Sequence, residues 1–498
     1  MNKNFSEDDL KSNIGKIFFA VSVLLGIYLF FSPISNVLIH IDEWWTVALI
    51  KTSFLECLKI TIKDVHPPLY YMIVQTVCYV LNALHIQYDL ISVLKIISFV
   101  PYFIVLGISA TKIRKEYGWL TVGIFTFSII AMSFFFRGYS TIRMYSWSLL
   151  FLLMSFLYFR QVIAKSDRKS WALFILFTLL GAYTHYFVLV TSALMYLMLF
   201  IRMFINKDSD LDKKEELKKW LVASVSTVIL YAPWIFVLMK QVSKTMEYQK
   251  NFPHLYDLFS YVSWFAVNST TDFSYVDFGF RILAILFLAL MIIIFVKHSK
   301  STDFNENYFI SSGFILYLLT LAIGVTAIVL TYKPLVIRYL IPVISLLWLS
   351  CAIVIGKIKD RKILVISVIV VLLLGAYGLA VTYDTNNQIK DDGNEMIAAL
   401  DKLNNDSNVI VFNQDFLYVC YHDYVDNAKL YATQKDIRFD YKLDDVKSGS
   451  NLTTIMKENH GKKVYMIDTF PDKNFKFENN ITGKKVYKHQ DMYFLKLS

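Results

Sequence analysis

The chain has 498 residues, of which 56% are hydrophobic and only 18% are charged, with a formal net charge of +10. Soluble domains are usually about 45–50% apolar and about 25% charged. The apolar excess here is gathered in runs close to the ~20 residues that cross a bilayer. The composition therefore indicates a polytopic α-helical membrane protein. No nucleic acid is expected as a partner, because Lys and Arg collect in the cytoplasmic loops of such proteins.

Basic clusters in the loops predict the topology. They lie at 112–118, 160–170, 202–220, 297–301 and 356–362, and together with the polar segment ending at Lys16 they are expected in the cytoplasm. Placing them there predicts about eleven crossings with the C-terminus outside. The predicted crossings are 15–37, 90–111, 119–136, 143–161, 170–187, 188–205, 220–240, 278–297, 309–331, 338–356 and 362–383.

The segment 66–84 is also apolar, but counting it as a crossing would invert every later loop. We therefore interpret it as a juxtamembrane or re-entrant helix within a long first external loop, 38–89. Pro67 and Pro68 suit the start of that helix, where the missing N–H groups would have no helical partner anyway. Cys57 and Cys78 fall in the same loop, and the sequence leaves open whether they form a disulfide or remain two thiols.

After Val381 the composition becomes polar. Short runs such as VIVF, AKLYA, KKVYMID and MYFLKL predict strands, and NEMIAALDKL and NLTTIMKEN predict amphipathic helices. The chain is accordingly divided into a transmembrane module over 1–385 and a small extracytoplasmic α/β domain over 386–498. It has no CxxC pair and no phosphate-binding glycine loop, so neither a zinc site nor soluble nucleotide chemistry is indicated.

Five polar stretches fall at helix ends on the predicted external side. Charged groups near lipid are costly and need partners, so their clustering at one surface predicts a common site. The plainer alternative is solvated loop acids, an aromatic belt and arginines that snorkel to the interface. The stretches are HIDEWW (40–45), DVHPPLYY (64–71), RGYSTIRMYSW (137–147), YTHYF (183–187) and YKPLVIRYLIP (332–342).

The residue types in these stretches suit one reaction class. A carboxylate such as Asp42 or Glu43 can take a proton from an attacking hydroxyl, or can hold a divalent cation. Arginines such as Arg143 and Arg338 can bind a phosphate through paired hydrogen bonds. A base and a phosphate clamp beside lipid suit transfer of a sugar from a polyprenyl-phosphate carrier, because the arginines would stabilise the leaving lipid phosphate.

In this order, the acidic pair, HPPLYY, IRMYS, THYF and RYLIP resemble the GT-C fold glycosyltransferases. Within that fold, the chain most resembles bacterial relatives of the protein O-mannosyltransferases and the lipid A aminoarabinose transferases. The resemblance covers roughly residues 15–385. It implies juxtamembrane helices in the first external loop. It also implies that an acid of that loop, Asp42 here with Glu43 beside it, acts as the catalytic base or positions the acceptor.

The resemblance also makes His66 the histidine of the HPP segment and implies that Arg143 and Arg338 lie near the carrier phosphate. With further candidates from the polar stretches, the expected set of donor-phosphate or substrate-binding residues is His66, Arg137, Arg143, Tyr145, His185, Tyr186, Lys333 and Arg338. Metal dependence varies among GT-C enzymes, so a divalent cation stays an open expectation, with Asp42, Glu43 and His66 as its ligands if one is bound. No other cofactor is implied.

The expected function is therefore a plasma-membrane glycosyltransferase. Its expected partners are a polyprenyl-phosphate sugar donor, an envelope acceptor that is a protein, lipid or glycan, and the membrane lipids. The alternatives are a lipid or sugar transporter or flippase, a non-catalytic envelope assembly protein, and a polymerase or ligase of surface polysaccharide. A transporter usually places polar groups near the bilayer midplane in repeated halves, and neither feature is visible in this sequence.

Overall fold

Most of the chain is described in a computed structural model. The described residues are 7–34, 41–206, 212–244, 255–267, 274–299, 303–331, 337–414, 417–418, 421–434, 447–448, 451–468, 483–489 and 492–497. The chain divides into two compact units. The first unit is Met1–Ile34 with Val65–Asp384, and the second unit is Ser35–Asp64 with Thr385–Ser498.

Helices dominate the described residues. In chain order they are α1 (Glu7–Ile34), α2 (Ile41–Ile50), α3 (Phe54–Lys63), α4 (Leu69–Ala83), α5 (Leu90–Ile108), α6 (Arg114–Ala131), α7 (Ser133–Ser140), α8 (Tyr145–Lys165), α9 (Arg168–Ala182), α10 (Tyr186–Ile205), α11 (Lys213–Lys244), α12 (Leu255–Ser263), α13 (Tyr275–Ser299), α14 (Phe304–Thr331), α15 (Ile341–Lys357), α16 (Arg361–Leu403) and α17 (Leu452–Glu458). A π-helical turn, Ser109–Ile113, joins α5 to α6, and a 3₁₀ turn, Ile337–Leu340, precedes α15.

Nine helical stretches of the described residues are long and apolar enough to cross a membrane. One of them, Leu90–Ala131, is broken at Gly118, where φ is 77° and ψ is 177°. Glycine adopts such a positive φ without a steric penalty, so two of the predicted crossings share this stretch. The crossing predicted at 170–187 corresponds to α9, which has 15 residues. These two features account for the difference between nine stretches and the eleven crossings predicted.

Two predicted helix boundaries are wrong. The crossing predicted at 119–136 ends at Ala131, and residues 133–140 form the separate helix α7. The helix predicted at 362–383 and the amphipathic helix predicted at 394–403 are one helix, α16, with 43 residues. No proline interrupts it, and a glycine costs a helix only about 1 kcal/mol, so the polar residues in between continue it.

Close backbone contact joins α1 to α6 in the first unit. A Cβ added to Gly123 would clash with the carbonyl oxygen of Gly15, and one added to Gly15 would clash with the backbone of Trp119. Small residues allow membrane helices to approach this closely. The Thr126 hydroxyl adds a hydrogen bond to Ser22 Oγ at 3.2 Å. The glycine pair therefore sets the distance between these two helices.

Helix α15 is the central helix of the first unit. Every residue from Ile341 to Ile355 is buried, and the helix packs against α6, α8, α13 and α14. A helix that is apolar on all sides is buried on all sides. Its first residue follows the RYL part of the YKPLVIRYLIP stretch, so the packing of α15 fixes the position of that part of the chain.

Between α1 and α5, the described residues form three helices. The helix predicted within 66–84 is α4, while α2 and α3 arise from the preceding segment and belong to the second unit. The placement of α4 at the membrane surface stays a prediction. Cys57 in α3 and Cys78 in α4 are free thiols, and Cys420 lies outside the described residues.

The described strands of the second unit form one six-stranded sheet with strand order β3-β2-β1-β4-β6-β5. Strands β1 to β4 pair in parallel, and β6 pairs antiparallel with both β4 and β5. Val409, Val464 and Leu495 form its core with Leu452 and Ile455 of α17. The small α/β domain is therefore confirmed, with β3 and β5 added. The strands are β1 (Asn408–Gln414), β2 (Lys429–Gln434), β3 (Lys447–Ser448), β4 (Lys463–Asp468), β5 (Gly483–His489) and β6 (Met492–Leu497).

Candidate functional site

A buried arginine and five aromatic or histidine side chains meet in the first unit. Arg143 donates from one terminal nitrogen to Nε2 of His66 at 3.1 Å and from the other to the Tyr71 hydroxyl at 3.5 Å. The Tyr339 ring lies 6.5 Å from that of His66 and 5.2 Å from that of His185. The sixth residue is Tyr145, whose ring lies 5.9 Å from that of His185. These six residues are called the Arg143 cluster below.

Local structure explains why distant parts of the sequence meet here. His66 precedes the Pro67-Pro68 pair, and Pro68 is the N-cap of α4. The next residue, Leu69, donates its backbone N–H to the carbonyl of Tyr183 at 3.0 Å. That bond connects the start of α4 to the turn between α9 and α10. The DVHPPLYY and YTHYF stretches are therefore joined through the backbone, and Tyr339 lies against His66 of the first and His185 of the second.

His185 is the N-cap of α10. Its Nδ1 accepts the backbone N–H of Phe187 at 3.2 Å, which satisfies one of the N–H groups that a helix start leaves without a partner. Burial, together with neighbouring His66 and Arg143, lowers the pKa of His185 from 6.5 to about 3. The ring is consequently neutral near pH 7, with its proton on Nε2.

Four helices begin at the Arg143 cluster, namely α4, α8, α10 and α15. None of them has an acidic residue in its first turn. A helix N-terminus carries a partial positive charge and points N–H groups outward, which favours anions such as phosphate. Arg143, only 5% exposed, adds a full positive charge. The arrangement is electrostatically suited to an anion carried by a lipid or sugar.

Four of the eight residues predicted to bind the donor lie in this cluster: His66, Arg143, Tyr145 and His185. Tyr186 points elsewhere, because its hydroxyl donates to Gln241 and accepts from Trp234 Nε1 of α11. The side chain of Arg338, in the 3₁₀ turn before α15, is exposed.

The side chains of two further predicted residues are not described. Arg137 lies in α7, where its side chain is not among those described, and Lys333 lies outside the described residues. Their assignment to donor binding therefore stays a prediction.

The acidic pair begins helix α2 in the second unit. Glu43 is 6% exposed and Asp42 is half-buried. Acids in the first turn of a helix are stabilised by its dipole, which is the structural alternative to a catalytic role. Trp44 beside them packs edge-on against Tyr421, with ring centroids 6.4 Å apart. This ring contact holds the first turns of α2 within its own unit.

Tyr71 and Tyr339 complete the Arg143 cluster but were not among the predicted site residues. Both fall inside stretches that the sequence singled out, HPPLYY and RYLIP. Tyrosine is abundant in this chain, with 32 copies, so residue type alone does not separate these two from tyrosines of the core. The available signal was position: Tyr339 directly follows Arg338, and Tyr71 ends the stretch that begins with the predicted ligand His66.

No group of three or more His, Cys, Asp or Glu side chains among the described residues could hold a metal ion. The possible cation at Asp42, Glu43 and His66 stays a prediction. Arg143 and the neutral His185 suit direct binding of an anion, and neither role requires a metal.

The sequence itself matches no protein-family model and no curated protein. The structure is similar to the crystal structure of ArnT from Cupriavidus metallidurans bound to undecaprenyl phosphate. The TM-score is 0.52 at 11% sequence identity, over 96% of this chain and 97% of that one. ArnT is a lipid A aminoarabinose transferase of the GT-C type. The chain therefore has the GT-C fold, and its apolar helices make it a multi-pass membrane protein.

Proposed function

We propose that the chain is a membrane glycosyltransferase that transfers a sugar from a polyprenyl-phosphate-linked donor to an extracytoplasmic acceptor. The observation that carries the proposal is the Arg143 cluster, in which a buried guanidinium lies where four helices begin. The GT-C fold supports this reaction class. The undecaprenyl phosphate bound to the similar ArnT structure supports a polyprenyl-linked donor.

On the donor side, Arg143 binds the phosphate that links sugar and lipid. As the bond between the anomeric carbon and the phosphate oxygen breaks, negative charge collects on the leaving polyprenyl phosphate. Arg143 and the helix N-termini stabilise that charge without reorganising, because His66 and Tyr71 already hold the guanidinium. Tyr145, His185 and Tyr339 supply ring faces against which a sugar can pack.

On the acceptor side, Asp42 is the proposed base. It takes the proton of an acceptor hydroxyl while that oxygen forms a bond to the anomeric carbon. The products are the glycosylated acceptor, polyprenyl phosphate and the protonated carboxyl of Asp42. Glu43 supports this base or, with His66, holds a divalent cation. The support for these roles is the resemblance of the HIDEWW stretch to the first external loop of GT-C enzymes.

Transfer can be tested with purified protein in proteoliposomes. A panel of polyprenyl-phosphate sugars is offered with a membrane extract as acceptor, and both release of polyprenyl phosphate and covalent transfer of the sugar are measured. The proposal expects equal amounts of the two products from at least one donor. Movement of a labelled donor across the vesicle without covalent transfer would indicate a transporter instead.

The proposed location is the plasma membrane with the second unit outside the cell. A tag after residue 498 and one before residue 1 can be probed in intact cells and in permeabilised cells. The C-terminal tag is expected to react in both, and the N-terminal tag only after permeabilisation, because the basic loops are retained in the cytoplasm. The reverse pattern would overturn the topology.

A further inference from the structure

A polar cavity lies at the far end of α15 from the Arg143 cluster. It has a volume of about 440 Å³, within the range usual for small-ligand sites. Helix α15 has 17 residues, so its two ends are about 25 Å apart. The cavity is therefore separate from the donor site. It is lined by Glu7, Asp8, Lys11, His298, Gly356, Lys357 and Lys359.

An apolar cavity of about 240 Å³ adjoins the polar one, and the two share His298, Lys357 and Lys359. Its other walls include Phe295 of α13 and Ile363 of α16. Ile363 is 37% exposed, and Ile366 and Ile369 of the same helix are also exposed. The joined cavities thus form one amphipathic site, polar at the end of the helices and apolar along α16.

The charges of the polar cavity are largely paired within the protein. Lys11 lies 3.1 Å from Glu7 and donates to the carbonyl of Ile358 at 2.6 Å. Lys357 lies 2.6 Å from Glu306. Among the described residues, Asp8 and Lys359 have no ion-pair partner. One anion and one cation therefore face the same cavity.

The carboxylate of another acid in this region is already hydrogen-bonded within the protein. Asp360, in the apolar cavity, accepts the backbone N–H groups of Lys362 at 2.8 Å and Ile363 at 3.1 Å, so its carboxylate caps α16. Lys297 and His298, at the last turn of α13, complement the negative end of that helix. The unpaired charges nearest the polar cavity are thus those of Asp8 and Lys359.

We propose that the joined cavities bind a phospholipid whose headgroup carries both a phosphate and a primary ammonium. Lys359 binds the phosphate, Asp8 binds the ammonium, and an acyl chain occupies the apolar cavity. A purely anionic headgroup would face Glu7 and Asp8 as well as the lysines, whereas a zwitterion matches both charges. Basic pockets between helices at a membrane surface are usual sites for lipid headgroups. The proposal does not depend on the glycosyltransferase reaction.

Lipid retention by the delipidated full-length protein tests this site. Phosphatidylethanolamine, phosphatidylglycerol and phosphatidylcholine with identical chains are added in turn, and bound lipid is counted by native mass spectrometry. We expect phosphatidylethanolamine to be retained most. Lys359→Gln should lower its retention about three- to fivefold, as expected for a partly exposed ion pair. Lys362→Gln, an exposed neighbour outside both cavities, is the matched control and should bind like the wild type.

Asp8→Asn tests the ammonium contact separately. It should remove the preference for phosphatidylethanolamine over phosphatidylcholine, whose quaternary ammonium has no N–H to donate, while leaving binding of both. Equal retention of the three lipids by the wild type, a preference for phosphatidylglycerol, or equal behaviour of Lys359→Gln and Lys362→Gln would overturn the proposal. Displacement of the lipid by soluble phosphoethanolamine at equal concentration would overturn the role of the apolar cavity.

Discussion

Replacing Arg143 tests the donor site most sharply. The guanidinium is 5% exposed and contacts His66 at 3.1 Å and Tyr71 at 3.5 Å through different nitrogens. Arg143→Gln removes the positive charge beside the leaving phosphate. Loss of one preorganised donor to a developing anion costs about 10²–10³ in kcat. We expect sugar transfer per folded protein to fall by about that factor.

Arg143→Lys separates charge from geometry. The ammonium retains the charge but cannot replace a planar fork that reaches two partners at once. We expect a loss of about tenfold in transfer, between that of the glutamine variant and the wild type. Both variants should also lose about 1–3 kcal/mol of stability, because a buried acceptor is left without its donor.

Arg202→Gln is the matched control. Arg202 is also buried, at 4% exposure, and donates to Asn305 at 2.7 Å and to the carbonyl of Ile163 at 3.0 Å. It lies near the end of α10 opposite to His185, about 25 Å away along the helix. The control should lose similar stability but keep transfer per folded protein within about threefold. Retention of more than about a tenth of transfer by Arg143→Gln, or an equal loss in the control, would refute the phosphate assignment.

Three further outcomes can be measured on the same preparation. Tyr339→Ala should lower kcat/KM about tenfold because the ring contacts of two histidines are lost, while Tyr339→Phe should stay near the wild type; equal kinetics for both would contradict the packing role. Gly123→Val should destabilise the protein by at least about 1–3 kcal/mol, because its added Cβ would overlap the backbone of Gly15 in α1. The control Gly107→Ala, with no atom within 4 Å of its added Cβ, should be neutral or stabilising, and unfolding temperature distinguishes them. Because the pKa of His185 is about 3 when folded and 6.5 otherwise, the unfolded chain binds the extra proton, so stability should fall as pH drops from 6.5 toward 3 in the wild type and less in His185→Gln.

The sequence predicted the helices well where apolar runs were bounded by basic loops. It predicted α8, α10 and α15 within a few residues, because length and charge in a bilayer leave few alternatives. Helix α1 was predicted from residue 15 but begins at Glu7. The sequence did not predict the helices correctly in segments where neither the bilayer thickness nor the charge of the loops limits the structure. Helices α2 and α3 lie in a short segment of mixed composition, and the polar part of α16 has no proline or other signal that predicts either a break or a continuation.

The site was predictable as a set of stretches but not as a set of contacts. Each stretch ends or begins a helix, and that placed His66, Arg143 and His185 near one surface. Which ring packs on which could not be predicted, since Tyr339 reaches the histidines only because the burial of α15 fixes the turn before it. Tyr186 has the same residue type and neighbourhood, yet it bonds to α11. The direction of a side chain at the start of a helix depends on how the helices pack, and the spacing of residues in the sequence does not predict that packing.

The central claim is covalent transfer with Asp42 as the base, and one comparison tests it directly. Wild type and Asp42→Asn are first shown to have the same unfolding temperature. Both are then assayed in proteoliposomes with the donor panel, each with and without a chelator. We expect transfer from one donor by the wild type and at least about a hundredfold loss in the variant, since general-base catalysis contributes about 10²–10⁴. Loss of wild-type transfer when the chelator is added would show that the reaction needs a divalent cation. Full transfer by Asp42→Asn would contradict the account.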